Sequence, residues 1–183
     1  MRIITGRYKG RNLFMVPGAT TRPTTAFNRE VIFSTHQDYA GARVLDLFAG
    51  TGSLGLEALS RGAEWVDFVE FSSIAISVLL KNIKLLGCAE QCHIFRKRVE
   101  VFLSEPRAPY DIIFLDPPYH KNLIAPVLTA IFEQKLLLPD GILIAEHSPK
   151  EAVPEALKPY LFKEKGSKTS AFSFFCLPEI DQD

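Results

Sequence analysis

From Arg43 onward the chain repeats one unit: a short apolar run, a break, then a helical pattern. The first run is Val44-Leu45-Asp46-Leu47-Phe48, followed by Ala49-Gly50-Thr51-Gly52-Ser53 and a helix over 54–60 that stops at Gly62. A second strand over 65–70 leads into a helix over 72–86. That helix has a broad apolar face (Ile74, Ile76, Val78, Leu79, Ile83, Leu86) and ends at Gly87, a C′ residue. A brief strand over 93–95, a brief helix over 99–103 and a strand over 111–115 come next. Asp116-Pro117-Pro118-Tyr119 stops that strand, and a helix over 124–134 and a strand over 141–146 continue the alternation. Residues 160–165 and 171–177, separated by Gly166-Ser167-Lys168, predict a closing antiparallel hairpin. The strands read as nearly continuous apolar runs, which predicts a parallel sheet covered by helices on both faces. Such sheets bind ligands at the carboxyl ends of their strands, so the loops after Phe48, Val69 and Leu115 are the ones to examine.

A chain of 183 residues, 47% hydrophobic and 23% charged, has the composition of one folded domain and not of a disordered chain. No apolar stretch approaches a membrane span, and the start is too polar for a secretory signal, so a cytoplasmic protein is expected. Three cysteines, with Cys88 and Cys92 separated by three intervening residues, argue against a disulfide scaffold or a zinc knuckle. His36, His93, His120 and His147 form no spaced cluster, and no metal is expected. Net charge is zero but uneven. Residues 1–29 hold six basic residues (Arg2, Arg7, Lys9, Arg11, Arg22, Arg29) and no acid. That end reads either as a cationic arm turned toward a polyanion or as a solvated basic tail. Alternating pieces at 2–5 and 12–16, broken at Gly6, Gly10 and Pro17-Gly18, predict a small β-hairpin or ribbon. Thr21-Arg22-Pro23-Thr24-Thr25 then leads into a helix capped by Thr24 or Thr25.

Gly50-Thr51-Gly52-Ser53-Leu54-Gly55 fits GxGxxG between a strand and a helix. Its glycines permit a tight turn and close backbone approach to a ligand. Glu70, 18 residues past Gly52, stands where an acid can accept both hydroxyls of a ribose. The pattern alone fits a nicotinamide dinucleotide almost as well as any other nucleotide cofactor. Asp46 narrows it, because Asp-Leu-Phe-Ala-Gly-Thr-Gly resembles the first motif of class I S-adenosylmethionine (SAM) methyltransferases. There the loop backbone cradles the methionine end of SAM. A structural acid capping the adjacent loop is an equally compatible role for Asp46.

Asp116-Pro117-Pro118-Tyr119 is the sharpest motif. Consecutive prolines make the turn rigid and remove N–H donors, leaving the Asp116 carboxylate and the Pro117 carbonyl as acceptors. Two acceptors can grip the two protons of a planar exocyclic amine and aim its lone pair at a methyl sulfonium. Tyr119 offers a face on which an extruded base can stack. A proline turn that merely closes a strand is the alternative.

Over nearly its whole length the chain resembles the RsmD-like methyltransferases. The resemblance is carried by Met1–Arg11, by Thr21-Arg22-Pro23-Thr24-Thr25 and Arg29-Glu30-Val31-Ile32-Phe33, by 46–63, and by 116–119. It implies a Rossmann-like α/β fold with a mostly parallel seven-stranded sheet and an antiparallel C-terminal hairpin. Residues 1–42 would be an RNA-binding extension and 43–183 the methyltransferase domain. The implied reaction transfers methyl from SAM to N2 of a guanine in small-subunit 16S ribosomal RNA, guanine 966 in the family. Implied catalytic residues are Asp116, Pro117 and Tyr119. Asp46, Phe48, Ala49, Gly50, Thr51, Gly52, Glu70, Phe71 and Val99 would hold SAM, and Arg2, Arg7, Lys9, Arg11 and Arg22 would hold RNA. A monomer is expected, since nothing demands a partner chain. The chain departs from the family pattern at Ala26-Phe27 (usually Asp-Arg), at Glu70-Phe71-Ser72 (commonly Glu-x-Asp), and at Arg98-Val99, where an acid or Asn before Ala is frequent. DNA adenine-N6 methyltransferases share the turn but need a recognition domain larger than 42 residues. Glutamine-N5 enzymes resemble an Asn-Pro-Pro-Tyr pattern. Arg98 is the feature that best suits a non-catalytic RNA-binding module, and the intact turn is the feature against it.

Overall fold

The computed structural model describes residues 1–17, 26–118, 122–166 and 169–178. Its elements are α1 (Ala26–Thr35), β1 (Arg43–Leu47), α2 (Ser53–Ser60), β2 (Trp65–Val69), α3 (Ser73–Leu86), β3 (Cys92–Phe95), α4 (Val99–Leu103), β4 (Tyr110–Leu115), α5 (Ile124–Glu133), β5 (Leu137–His147), β6 (Leu161–Gly166) and β7 (Ala171–Cys176). The sheet runs β3-β2-β1-β4-β5-β7-β6. The first five strands are parallel, and β7 pairs antiparallel with both β5 and β6. Alternation along each strand sends side chains to two cores. Val44, Phe68, Phe114 and Ile144 face the side of α1–α3, whereas Leu45, Val69, Ile113 and Leu143 face α4 and α5.

Strand β5 starts four residues before the expected Gly141. Tyr110 pairs with Leu137 and Ile112 with Ile142, so Leu138-Pro139-Asp140-Gly141 forms an excursion within the strand. Proline and aspartate mask the strand locally, yet the flanking leucines Leu136 and Leu137 are buried in the core.

The N-terminal ribbon is smaller than the alternation suggests. It has a single antiparallel bridge, Arg2 with Asn12, supported by bonds from Ile3 N to Arg11 O (3.0 Å) and Leu13 N to Met1 O (2.7 Å). Side chains of the main body take the N–H groups that a ladder would use. Glu57 accepts from Ile4 N (2.7 Å) and Thr5 N (3.0 Å), Ser60 Oγ from Tyr8 N (3.0 Å), and Asn82 from Phe14 N (2.7 Å). Ile3 and Leu13 are buried in the same core as Val44 and Phe114, as are Ile32 and Phe33 of α1. The capping threonines Thr24 and Thr25 lie outside the described residues.

The cationic end is also less outward than its composition suggests. Arg29 is 1% exposed, donating from Nη2 to Glu57 (2.7 Å) and from Nη1 to the Arg2 carbonyl (2.8 Å). Burial lowers its pKa and the adjacent Glu57 carboxylate opposes that shift. Arg7 meets the Gln91 side chain and lies 4.5 Å over the Tyr8 ring. Arg7 N bonds Ser60 O, at the last residue of α2, so the ribbon tip lies at the amino ends of the parallel strands. Helix α2 descends from the glycine loop, so its eight residues put the tip roughly 12 Å below that loop.

Gly6 makes this docking possible. A Cβ there would stand 1.7 Å from Ser60 O, and its φ of +85° is unfavourable for L side chains. Gly6→Ala is expected to lift the tip, seen as at least tenfold faster hydrogen exchange at the Arg7 and Tyr8 amides. Unchanged protection would show that the tip is held elsewhere.

Candidate active site

The glycine loop leaves the end of β1 with positive φ at Phe48 (60°), Gly50 (56°) and Gly52 (78°). At Gly52 a Cβ would collide with Leu79 Cδ1 at 2.3 Å, so this glycine lets α3 pack against the loop. At Gly50 the nearest atom to a Cβ is Phe48 O, at 3.9 Å. The space above Gly50 is open, as a ligand cradle requires. Ala49 N bonds the Val69 carbonyl (3.1 Å), and Gly52 N bonds Ala49 O (2.7 Å), fixing the loop to β2 and to itself.

Asp46 is buried and accepts from Gly55 N at 2.9 Å, so it caps the first turn of α2 from within β1. Burial pushes its pKa well above the usual carboxylate range; the Gly55 N–H opposes this, while the negative charges of Asp116 and Glu70 add to it. Glu70 is anchored by backbone, accepting at Oε2 from Gly50 N (2.9 Å) and at Oε1 from Phe71 N and Ser72 N (2.7 Å each). A carboxylate offers about four acceptor sites, so roughly one remains for a ribose hydroxyl; a second hydroxyl must displace a backbone donor. Asp116 and Pro117 directly follow β4, whose Leu115 is level with Leu47 of β1 and Ala145 of β5. Three acids converging on an open backbone cradle make a site for a cationic, hydroxyl-bearing group. The sulfonium, ammonium and ribose of SAM fit that acceptor and charge set.

Phe48 is partly buried against the α4–α5 core, and Val99, the first residue of α4, is buried within it. Phe71 is 57% exposed, with the Arg98 guanidinium 4.5 Å from its ring centroid. Arg2, Lys9 and Arg11 are exposed on the ribbon. Tyr119 and Arg22 lie outside the described residues.

Three anchoring groups have no counterpart in the motif reading. Asn82, fully buried on α3, donates to Thr51 O (2.9 Å) in the glycine loop and to Phe14 O (3.2 Å), while accepting from Phe14 N. It ties the glycine loop to the N-terminal arm. Its signal in the sequence is a polar residue on the apolar stripe of Leu79, Ile83 and Leu86. Glu57 is the second, a buried acid joining the arm, Arg29 and Arg61. Glu146, at the end of β5 beside Asp116, is the third: it is buried and bonded by Asn28 Nδ2 at 2.6 Å, which fastens α1 to the rim of the site.

A doubly wound sheet with an acid-lined glycine cradle and an Asp-Pro-Pro turn defines a class I SAM-dependent methyltransferase. Residues 1–175 match the model of the family described as conserved hypothetical protein 95. The chain is 41% identical over 161 residues to YlbH of Bacillus subtilis, covering 86% of this chain and 88% of that protein. It is 34% identical over 169 residues to ribosomal RNA small subunit methyltransferase D of Haemophilus influenzae, covering 90% and 88%. The solved structure of the yhhF methyltransferase from Escherichia coli superposes with a TM-score of 0.86 at 29% identity, covering 96% of each chain. The chain belongs to this RsmD family of methyltransferases.

Proposed function

We propose that this chain methylates the exocyclic N2 amine of one guanine in small-subunit ribosomal RNA, with guanine 966 of 16S RNA as the address. The observation that carries the reading is the Asp116-Pro117 turn at the end of β4, next to the acid-lined cradle of Asp46, Gly50 and Glu70. The Haemophilus relative's name, which specifies small-subunit ribosomal RNA, supports the substrate class. Bound SAM supplies a methyl group activated by its sulfonium. The Asp116 carboxylate and the Pro117 carbonyl accept hydrogen bonds from the two amine N–H groups and orient the nitrogen lone pair. Alignment of this kind contributes roughly 7–11 kcal/mol of barrier reduction. As the N2–carbon bond forms and the sulfur–methyl bond breaks, leaving S-adenosylhomocysteine, the nitrogen becomes cationic; the fixed carboxylate stabilises that charge and the excess proton passes to solvent. Tyr119 stacks the extruded base, a contact worth about 1–3 kcal/mol. Residues 1–42 act as the RNA-binding extension, with Arg2, Arg7, Lys9, Arg11 and Arg22 on phosphates. The protein works as a cytoplasmic monomer.

The direct test is transfer of labelled methyl to small subunits from cells lacking this activity, followed by nucleoside analysis. Label in N2-methylguanosine is expected; label in another nucleoside would discard the guanine target. RNA affinity should fall steeply between low and physiological salt, and a flat dependence would remove the cationic arm from the account.

A further inference from the structure

Two of the three cysteines meet at the amino end of the sheet, opposite the glycine loop. Cys88 follows the cap of α3: Gly87 takes a φ of 67°, and Cys88 N bonds Ile83 O at 3.2 Å. One 3₁₀ turn over Ala89–Gln91 then leads into Cys92, the first residue of the edge strand β3, level with Val66 of β2. The helix cap and the strand ladder fix the backbone on both sides of the turn, and Cys92 Sγ faces Cys88 Sγ at 3.9 Å. All three cysteines are free; Cys88 is buried and Cys92 half-buried, so one sulfur of the pair reaches the surface. Cys176 stands apart on β7, toward the other edge of the sheet.

The ribbon tip lies over this pair. Arg7 donates to the Gln91 side chain, which in turn donates to Glu64 O at 3.1 Å. Tyr8 and Cys92 pack against the core cluster that holds Cys88. Partly exposed, electropositive surroundings are those in which thiols react. The S–H of Cys92 donates to Cys88 and lowers its pKa; burial opposes the shift and the Arg7 guanidinium adds to it. The same bond and burial raise the pKa of Cys92, so the pair readily gives up one proton and keeps the other.

We propose that Cys88 and Cys92 form a redox-active dithiol, which hydrogen peroxide closes to an intramolecular disulfide and a dithiol reductant reopens. A thiolate of the pair attacks one peroxide oxygen. An S–O bond forms, the O–O bond breaks, and the departing hydroxide takes up a proton to become water. The other thiol then attacks the sulfenic sulfur, forming S–S, breaking S–O and releasing a second water. Two electrons pass from the sulfurs to the peroxide oxygens. The sulfurs stand about 2 Å short of bonding distance, a gap that side-chain rotation closes. The bridge would lock the turn that carries Gln91, directly beneath the arm.

The experiment treats the reduced full chain at neutral pH with hydrogen peroxide, alkylates the remaining thiols and maps the cysteines by mass spectrometry. Trypsin leaves Cys88 and Cys92 on one peptide, residues 85–96. The bridge is read there as the loss of two hydrogens and of both alkyl groups. It should form on the order of tenfold faster in the folded chain than in urea, where the two cysteines are as close in sequence but lack the Arg7 cation. Dithiothreitol should restore both thiols, and Cys176→Ser should bridge at the wild-type rate. A bridge that forms no faster in the folded chain than in urea overturns the proposal. So does a product that dithiothreitol fails to reverse, or a bridge that is lost with Cys176→Ser.

Discussion

Asp116→Ala is expected to lower kcat for methyl transfer by at least about 10²–10³-fold, the usual loss when one preorganised electrostatic partner of a transition state is removed. The affinity for S-adenosylhomocysteine should change less than about twofold. That product lacks the sulfonium charge, so it reports the cradle of Gly50 and Glu70 without the electrostatic contribution of Asp116. SAM itself should bind somewhat more weakly, because its cation loses one of three nearby acids. At the same time the Asp46 carboxyl should ionise at lower pH, since the charge of Asp116 is one of the influences raising its pKa. Asp116→Asn keeps one acceptor oxygen and should fall between wild type and alanine. Single-turnover kinetics with calorimetric binding separates these outcomes. Parallel loss of S-adenosylhomocysteine binding and transfer would make Asp116 a structural residue and leave the Asp-Pro-Pro turn without its chemical role.

The largest stability effect is expected at Glu57. Its carboxylate is fully buried and receives the Arg29 guanidinium, Arg61 Nε and the backbone N–H groups of Ile4 and Thr5. Glu57→Ala strands a buried guanidinium and two amides, and breaking a buried pair from one side costs about 3–5 kcal/mol. For a chain of this size that corresponds to a fall in Tm of roughly 6–20 °C. Replacing Arg29 as well, in Arg29→Met/Glu57→Ala, should recover part of the loss, because the uncompensated charge is then gone. Thermal unfolding of both variants tests this. A Tm within about 2 °C of wild type for Glu57→Ala would mean that the arm and Arg29 are held by packing alone.

The Glu57 hub also explains what motif reading misses. The stretch 46–63 is recognisable as a glycine loop with its helix, yet Glu57 and Ser60 on that helix bond the N-terminal arm. The two stretches that carry most of the family resemblance, 1–11 and 46–63, bind each other. Counting charges placed Arg29 with the outward cations, whereas its partner stands 28 positions along the chain. No local pattern reveals that pairing.

The sequence by itself determined the alternation of strands and helices, the acid at the end of β2, the glycine loop and the proline turn. These depend on period, on φ and on missing donors, properties that each short stretch carries alone. Only the tertiary structure decided that Asp46 caps α2 and is raised in pKa by two other acids. It also decided that Asn82 joins the arm to the glycine loop, that the ribbon tip docks at the amino ends of the parallel strands, and that Arg98 lies over Phe71. Each of these is set by burial and by partners distant in sequence, and a carboxylate, an amide or a guanidinium has no assigned role until the fold shows what surrounds it.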